Sequence, residues 1–388
     1  MSELMNIPNL RFPDFSDDWQ VSKLGDVTSK IGSGSTPRGG EEVYTSDGIL
    51  FIRSQNVKRN ILDLTDSTFI PEEVHFQMSG SEVKSNDVLL NITGASIGRS
   101  CVVPSSVITG NVNQHVCIVR TGRHLEPNFL QPFLASRRGQ KLIYQGQTGS
   151  GREGLNFQSI RSFKLSLPTK PEQQKIAAFL TAVDNKIEQL SKKQALLGEY
   201  KKGLTQQIFS QAIRFKADDG SDFPDWKEKK LGGVGRIRKG SQLNKSELTD
   251  TGDYPAINGG INPSGYTDKW NTGKNTITIS EGGNSCGYIN FITSKFWSGG
   301  HCYSIEELKG DVLNRFLFQY LKFNEHLIMR LRVGSGLPNI QKGEINNFKV
   351  NLPSLEEQTK ISNFLSSIDS KIEQVGGQLD ESKQFKKA

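Results

Sequence analysis

The stretch that decides the fold occurs twice, as LSLPTKPEQQKIAAFLTAVDNKIEQL at Leu165–Leu190 and as VNLPSLEEQTKISNFLSSIDSKIEQV at Val350–Val375. The second copy lies 185 residues after the first, and 13 of the 26 aligned positions are identical. Unrelated sequences of average composition would share about one or two positions over this length. The repeat therefore predicts a chain of two comparable halves, each ending in the same structure.

Each copy is predicted to begin a long helix. Thr169 and Glu172 have the spacing of a capping box, in which a hydroxyl and a carboxylate each cap a free backbone N–H group. The second copy has Ser354 and Glu357 at the same spacing. In a capping box the glutamate side chain turns back toward the residue that caps the helix. We therefore expect both glutamates to lie at helix starts and to cap them.

Apolar residues follow at alternating spacings of four and three, which is the pattern of a coiled-coil seam. Gln194 and Lys201 interrupt this pattern in the first copy. A narrow apolar stripe on a long helix is most simply covered by a second helix, so we expect the two helices to pair. Packing of each helix on its own domain is the alternative. The seam comprises Ile176, Leu180, Val183, Ile187 and Leu190 in the first helix, and Ile361, Leu365, Ile368, Ile372 and Val375 in the second.

The repeat extends beyond the helices, since DWQVSKLGDV at Asp18–Val27 is similar to DWKEKKLGGV at Asp225–Val234. The segments between these matches differ, which fits two domains that share a scaffold and bind different targets. The second copy of the helix stops at Ala388, which aligns with Gly203, so it is expected to be shorter. The predicted boundaries are 1–167 for the first domain, 168–212 for the first long helix, 213–224 for a linker, 225–352 for the second domain and 353–388 for the second long helix.

The domain bodies have a mixed pattern. β-branched and apolar runs at 87–93 and 275–280 are each followed by glycine turns, which favours strands and hairpins. Residues 128–144 and 313–331 have apolar residues at helical spacing, which predicts one amphipathic helix in each range. Both bodies are therefore expected to be mixed α and β.

Composition narrows the class of protein. The formal net charge is +7, which favours an anionic partner such as nucleic acid. The chain has no apolar run long enough to span a membrane and no secretory signal, so we expect a cytoplasmic protein with reduced thiols. Histidines near two of the cysteines allow a metal site, but buried thiols on strands are the preferred interpretation. The cysteines are Cys101, Cys117, Cys286 and Cys302.

Common catalytic motifs are absent. The sequence has no GxxxxGK[ST] phosphate loop, no HExxH zinc motif and no complete EF-hand loop. It also lacks the Asn/Asp-Pro-Pro-Tyr segment that amino-methyltransferases use, and its histidines show no triad spacing. We therefore predict a binding protein without a catalytic or metal site of its own.

Several short segments together resemble one family. They are LPxxxEQxKI at Leu167–Ile176 and Leu352–Ile361, WxxxxLG at Trp19–Gly25 and Trp226–Gly232, GSTP at Gly34–Pro37 and TGASIG at Thr93–Gly98. In these segments the chain resembles the specificity subunit of type I restriction–modification systems. The resemblance covers nearly the whole chain.

The resemblance implies an α+β fold with two mixed α/β target-recognition domains in a pseudo-two-fold arrangement, joined by two long antiparallel coiled-coil helices. It also implies a non-catalytic subunit that reads a bipartite site in double-stranded DNA, with one domain for each half-site. Two methyltransferase (modification) subunits would dock on the helices and bring S-adenosylmethionine. Restriction/translocase subunits would bring ATP and Mg²⁺. No cofactor is expected in this chain.

Candidate DNA contacts are the cationic, amide and hydroxyl side chains of the bodies, because these groups bind base edges and phosphates. In the first domain they are Ser35, Thr36, Arg38, Arg53, Gln55, Asn56, Lys58, Thr93, Ser96, Arg99, Asn113, Gln114 and Arg152. In the second domain they are Arg236, Arg238, Lys239, Ser241, Asn258, Tyr266, Asn284 and Arg332. The rival interpretations are a coiled-coil scaffold that joins two protein partners without DNA, and a nuclease of unrecognised type.

Overall fold

The computed structural model describes residues 10–148, 154–334, 336 and 338–387. The chain divides into two compact units, Met1–Lys186 and Ile187–Ala388. Within the described ranges, no helix combines the length and the apolar character that crossing a membrane requires.

The first unit is mixed α and β. Its strands are β1 (Gln20–Lys23), β2 (Thr28–Ser33), β3 (Ile49–Ile52), β4 (Thr68–Ile70), β5 (Glu82–Val83), β6 (Val88–Asn91), β7 (Ser100–Val102), β8 (Gly110–Val112), β9 (Val116–Thr121), β10 (Gln147–Thr148), β11 (Gly154–Leu155) and β12 (Lys164–Leu167). Its helices are α1 (Glu72–Gln77), α2 (Pro127–Ala135), α3 (Arg137–Gln145), α4 (Phe157–Arg161) and the first part of α5 (Lys170–Phe209).

Two four-stranded sheets form the centre of this unit, with strand orders β2-β9-β6-β7 and β4-β3-β8-β5. Strand β6 is buried along its whole length. Val88 and Leu90 face a core that includes residues of α2, α3 and α4, whereas Leu89 faces a second core shared with β3 and β8. A strand that is covered on both faces is expected to be a continuous apolar run. This explains why residues 88–90 do not alternate with polar ones.

The second unit repeats this plan. Its strands are β13 (Lys227–Lys230), β14 (Arg236–Lys239), β15 (Tyr254–Ile257), β16 (Tyr266–Thr267), β17 (Thr276–Ser280), β18 (Ile289–Ile292), β19 (Trp297–Ser298), β20 (Cys302–Glu306) and β21 (Lys349–Leu352). Its helices, besides the remainder of α5, are α6 (Leu231–Val234), α7 (Asn314–Phe323), α8 (Glu325–Met329), α9 (Lys342–Asn347) and α10 (Leu355–Lys387). The sheets have the orders β14-β20-β17-β18 and β16-β15-β19.

The mixed α and β character predicted for both bodies is confirmed, but each predicted amphipathic helix is two shorter ones. In the first body the break falls at Ser136, whose side chain caps α3 by accepting a hydrogen bond from the Gly139 N–H group. Gly139 also lies so close to α2 that a Cβ atom would be 2.1 Å from the carbonyl oxygen of Phe133. In the second body the break falls at Asn324, whose side chain donates to the carbonyl oxygen of Tyr320. All four cysteines are free and buried.

The repeated glutamate of the first copy does not cap its helix. Arg11 donates two hydrogen bonds to the Glu172 carboxylate, at 2.7 and 2.8 Å, and Trp19 Nε1 donates a third at 3.3 Å. The Glu172 side chain is fully buried. Residues 11–19, here named the first arm, are thereby fastened to the first turn of α5. Lys175 adds to this fastening because its ammonium group pairs with Asp14.

The second copy forms the same arrangement with residues 214–226, here named the second arm. Arg214 donates to both carboxylate oxygens of Glu357 at 3.3 and 2.9 Å, and Trp226 Nε1 donates at 3.2 Å. Ser354 Oγ accepts a hydrogen bond from the Glu357 N–H group at 3.3 Å, as a capping box requires. The other half of the predicted capping box is wrong, because the Glu357 carboxylate binds the arm instead of the Ser354 backbone.

The repeated glutamine has an equally definite task. Gln173 accepts from the Glu126 N–H group at 2.9 Å and donates to the carbonyl oxygens of His124 and Pro168. Gln358 repeats this pattern, with one backbone N–H at 2.8 Å and two carbonyl oxygens at 2.9 and 3.0 Å. Both side chains are buried. The Glu-Gln pair is therefore repeated because it joins an arm and a domain loop to the start of each long helix.

The two long helices pair within the second unit. Lys201 of α5 contacts Asp369 of α10 at 2.5 Å, and a Cβ atom on Gly376 would lie 2.9 Å from Gln194 Nε2. The residue number falls along one helix as it rises along the other, so this part of α5 runs antiparallel to α10. The polar residues that interrupt the predicted seam are thus interhelical contacts.

The seam of α10 has two kinds of neighbour. Ile361 and Leu365 belong to the core of the second unit, together with Ile208 and Phe209 at the end of α5. The remaining buried residues of α10 continue along the helix beyond that core and include Ile368, Val375 and Leu379. Both sequence interpretations therefore hold in part, since the first turns of α10 pack on the domain and the rest follows the helix pair.

Candidate nucleic-acid interface

In the first unit, four loops meet at one end of the central sheet. Strands β2 and β6 both end beside the start of β9. Strands β3 and β8 run parallel and end together, because Ile52 pairs with Val112. The chain then passes from β8 to β9 through residues 113–115. The loops at 34–38, 53–58, 92–99 and 113–115 therefore form one surface, here named the first edge.

Hydrogen bonds tie these loops to each other. Thr36 Oγ1 donates to Gln114 Oε1 at 2.8 Å, which joins the loop after β2 to the loop before β9. Asn91 Nδ2 donates to the Ser54 carbonyl oxygen at 2.8 Å and to Ser96 Oγ at 3.1 Å, which joins the loops after β3 and β6. The edge is therefore built from loops that are distant in sequence but held in fixed positions.

The structure brings the described candidate residues of the first domain to this edge. The exposed ones are Ser35, Thr36, Arg38, Gln55, Lys58, Arg99 and Gln114, and the half-buried ones are Arg53, Thr93 and Ser96. Among the described residues, Arg38 and Arg99 form no ion pair, so their charges face solvent. Arg152 lies outside the described residues.

Asn56 and Asn113 are buried. Asn56 Oδ1 accepts from the Arg53 N–H group at 3.0 Å, and its Nδ2 donates to two carbonyl oxygens of the same loop. Asn113 Oδ1 accepts from the His115 N–H group at 3.0 Å. Both amides hold their own loops in shape, so the exposed residues of the edge are the ones that a duplex can reach.

The second unit has an equivalent surface. Strands β14 and β17 both end beside the start of β20, where Lys239 pairs with Tyr303 and Ser280 pairs with Cys302. Strands β15 and β19 run parallel and end at the same side, because Ile257 pairs with Ser298. The loops at 240–242, 258–260, 281–285 and 299–301, with Lys239, are here named the second edge.

Four candidates of the second domain lie on the second edge. Lys239, Ser241 and Asn284 are exposed, and half-buried Asn258 accepts a hydrogen bond from the His301 N–H group at 3.3 Å. Arg332 is exposed and adjoins the bridge between residues 333 and 339, which in turn reaches the loop at 282.

Three candidates lie elsewhere. Arg236 is at the opposite end of β14 and pairs with Glu307 at 2.9 Å. Arg238 is half-buried, with Glu306 at 3.5 Å. Tyr266 is exposed on β16, in the other sheet of the unit. A candidate lies on the edge only if it is at the right end of its strand and its side chain is on the right face. Residue type gives neither of these.

Sequence reasoning missed three groups at these edges. In the first edge, His115 Nδ1 lies 2.5 Å from Thr93 Oγ1. In the second, His301 Nδ1 lies 3.4 Å from Glu281 Oε2. Burial favours the neutral form of Glu281, but hydrogen bonds from Lys239 and Tyr303 outweigh burial and hold its pKa below the usual value. The signal that could have found the histidines is their matching position just before the start of β9 and β20.

The described part of the chain contains no group of three His, Cys, Asp or Glu side chains that could hold a metal ion. Burial raises the pKa of the Cys101 and Cys117 thiols to about 12. Because thiolates are the metal-binding form, these cysteines are poor ligands at neutral pH.

Comparison with known proteins gives consistent matches. The family model for the type I restriction modification DNA specificity domain matches twice, at residues 16–197 and 224–382. The type I restriction enzyme MjaVIII specificity subunit of Methanocaldococcus jannaschii is 23% identical over 398 residues, which cover 94% of this chain and 88% of that protein. The crystal structure of the type I restriction–modification system S subunit from M. genitalium has a TM-score of 0.62 at 17% identity and covers 95% of this chain and 94% of that one. A solved structure that describes complex assembly and conformational transition of the type I R-M system has a TM-score of 0.55 at 18% identity. The match covers 98% of this chain and 97% of that one.

Proposed function

For a chain that belongs to the family of type I restriction–modification DNA specificity subunits, we propose that the two domains read the two halves of a bipartite target. The first edge contacts one half-site and the second edge contacts the other. The chain performs no catalysis itself, and its long helices dock two methyltransferase subunits. In this proposal the restriction/translocase subunits join the same assembly.

The observation that carries this proposal is the matching construction of the two edges. Both are formed where the strands of the central sheet end, and both present amide, hydroxyl and cationic side chains to solvent. Such side chains make hydrogen bonds to base edges and phosphates. The arms form the same contacts with the two helix starts, whereas the edge residues differ. Two similar scaffolds with different contact residues suit two different half-sites.

The length of α5 supports a fixed separation between half-sites. The helix is 40 residues long, which corresponds to about 60 Å at about 1.5 Å per residue. One turn of B-DNA advances about 34–36 Å, so half-sites about one turn apart are within the span of such a helix. We propose that helix length sets the length of the nonspecific spacer.

The outward face of α5 supports docking of a methyltransferase subunit. Leu196 is 60% exposed and Tyr200 is 55% exposed, although both side chains are large and mostly apolar. They line one shallow surface with Lys192, Lys193 and Leu197. Exposed apolar surface of this kind is typical of protein interfaces. S-adenosylmethionine, ATP and Mg²⁺ belong to the partner subunits in this proposal.

The central experiment is to map methylated adenines. Unmethylated genomic DNA is incubated with S-adenosylmethionine and the complex of this chain with its methyltransferase subunits. We expect two short conserved half-sites that are separated by a spacer of constant length and free sequence. Methylation without sequence preference would contradict the proposal.

A matched insertion tests the role of the helices. Seven residues are added after Gln194 and seven after Val375, which keeps the facing positions of the pair aligned and lengthens α5 by about 10 Å. We expect the mapped spacer to change in length while both half-sites stay the same. The same seven residues inserted after Gly220, in an exposed turn outside the helices, are the control and should leave the spacer unchanged. An unchanged spacer in the helix variant would argue against this role.

Three further measurements test the docking surface and separate the rival functions. DNA binding by the complex should weaken steeply with salt, because phosphate contacts release counterions, whereas a protein scaffold would bind no DNA at any salt. Leu196→Ala with Tyr200→Ala should weaken binding of the methyltransferase subunit, while Lys202→Ala, on another face of the same helix, should not. The purified chain with DNA and Mg²⁺ should leave the DNA uncut, and cleavage would favour the nuclease.

A further inference from the structure

One equivalent position at the two edges has an apolar residue in the first domain and an acidic residue in the second. Ile92 and Glu281 each follow the strand that ends at the edge, and each donates its backbone N–H to the carbonyl oxygen of a histidine. These bonds reach His115 and His301 at 3.0 and 2.9 Å. The carbonyl oxygens of both positions accept a further backbone N–H at 2.9 and 2.8 Å. Ile92 and Glu281 are therefore equivalent, but one is an alkyl group and the other a carboxylate.

The carboxylate is in an unfavourable place unless it has partners. Ile92 is buried in the apolar core of the first unit, and Glu281 is only 9% exposed. Burying a carboxylate without compensation costs far more than burying an alkyl group. The second domain nevertheless has Glu281 at this position, so the groups around its carboxylate indicate its role.

Three polar groups surround Glu281. Lys239 Nζ lies 2.6 Å from Oε1, and the Tyr303 hydroxyl donates to the same oxygen at 3.0 Å. His301 Nδ1 lies 3.4 Å from Oε2. Tyr303 is buried, whereas the side chains of Lys239 and His301 are 51% and 65% exposed. The buried carboxylate thus binds the exposed Lys239 side chain through Oε1, while Oε2, which forms no hydrogen bond with the described residues, lies beside His301.

We propose that Glu281 is a positioning residue for recognition of the second half-site: it binds Lys239, lies beside His301, and places both as the groups that contact DNA. This inference rests on the proposed function and names the residues that carry it out in one domain. Lys239 supplies a point charge for a phosphate or for guanine acceptors. His301 supplies ring nitrogens that can donate or accept a hydrogen bond at a base edge or phosphate.

At the first edge the equivalent histidine has a different neighbour. Its histidine, His115, lies beside the hydroxyl of Thr93 rather than beside a carboxylate. A hydroxyl is neutral, whereas the carboxylate beside His301 is an acceptor that is charged when ionised. The equivalent histidines are therefore presented to DNA in different electrostatic surroundings. Such a difference contributes to reading two different half-sites.

The test uses the full chain in complex with its methyltransferase subunits, with unmethylated genomic DNA as the probe. Lys239→Ala and His301→Ala alter exposed side chains, so their effects do not depend on repacking the core. We expect each to lower methylation about ten-fold at the wild-type site, in the range of one good contact, and to relax base preference in one half-site only. Glu281→Gln should relax the same half-site, and in a background that carries both Lys239→Ala and His301→Ala it should add much less.

Glu307→Gln is the matched control, because Glu307 pairs with Arg236 at the opposite end of β14. It should leave both half-sites and the methylation rate unchanged. If Lys239→Ala, His301→Ala and Glu281→Gln all leave the methylation motif intact, this inference is wrong but the proposed function stands. The same holds if both half-sites relax equally. A wild-type complex without sequence preference overturns the proposed function and this inference with it.

Discussion

Replacing Arg214 by methionine tests whether the second arm is fastened by a buried charge pair. The Glu357 carboxylate has no exposed surface, and it receives two hydrogen bonds from Arg214, whose side chain is 25% exposed. Removing one partner of a buried pair leaves an uncompensated charge and costs about 3–5 kcal/mol. Because water reaches part of the Arg214 side chain, we expect the lower end, about 3 kcal/mol.

Native-state hydrogen exchange measured on peptides from α10 is the suitable assay, because it reports the opening free energy of one unit of a two-unit chain. A loss of about 3 kcal/mol lowers protection roughly 100-fold, since about 1.4 kcal/mol is a factor of ten. Peptides from β6 and β9 of the first unit are an internal reference and should keep their protection.

The double variant Arg214→Met with Glu357→Gln sharpens the result. It removes both charges and keeps an amide that can still accept from Trp226, so it should be less damaging than Arg214→Met alone. Arg236→Met breaks an exposed pair whose side chains are 64% and 65% exposed, and it should cost less than about 1 kcal/mol. A similarly small cost for Arg214→Met, or a double variant that is worse than the single one, would refute the reasoning.

Three further predictions concern other parts of the chain. Gln358→Ala should lower the opening free energy of the second unit by about 3 kcal/mol, measured by hydrogen exchange of α10 peptides, because it leaves buried backbone groups without partners, whereas exposed Gln374→Ala should change little. The contribution of the buried Cys101 and Cys117 thiols to stability should be fully present below pH 9 and fall as the pH rises toward about 12, because burial raises their pKa in the folded chain and the unfolded chain ionises first. A thiol reagent at pH 8 that modifies either cysteine in the folded chain would contradict their burial. Arg38→Ala should weaken recognition of the first half-site only, and an unchanged methylation motif and affinity would exclude this contact.

The repeated helices, their starts and the two-domain plan were predictable because they depend on local signals. A seam at spacings of four and three and a serine or threonine before the first turn act within one helix. The strands at Val88–Asn91 and Thr276–Ser280 were predictable for the same reason, since short runs rich in β-branched and apolar residues favour strands. The repeated Glu-Gln pair was visible, but its partners were not, because Arg11 lies 161 residues from Glu172.

The candidate DNA contacts show the same limit of sequence-based prediction. Residue type identified Ser35, Arg38 and Lys239 as groups able to bind DNA, and the structure assigns each of them to an edge. Residue type also selected Asn56, whose amide is used inside its loop, and overlooked His301. A polar side chain can bind a base or complete a loop, and its surroundings decide which.

From the amino-acid order follow the doubling of the chain, the long helices and the supply of polar groups, because each depends on neighbours a few positions away. Tertiary structure alone decides which loops share an edge, which glutamate binds an arm, and which one binds a lysine at an edge. The physical reason is that a strand end or a buried carboxylate acquires its partners from segments tens to more than a hundred residues away. Those partners are set by sheet register and burial, which no local pattern encodes.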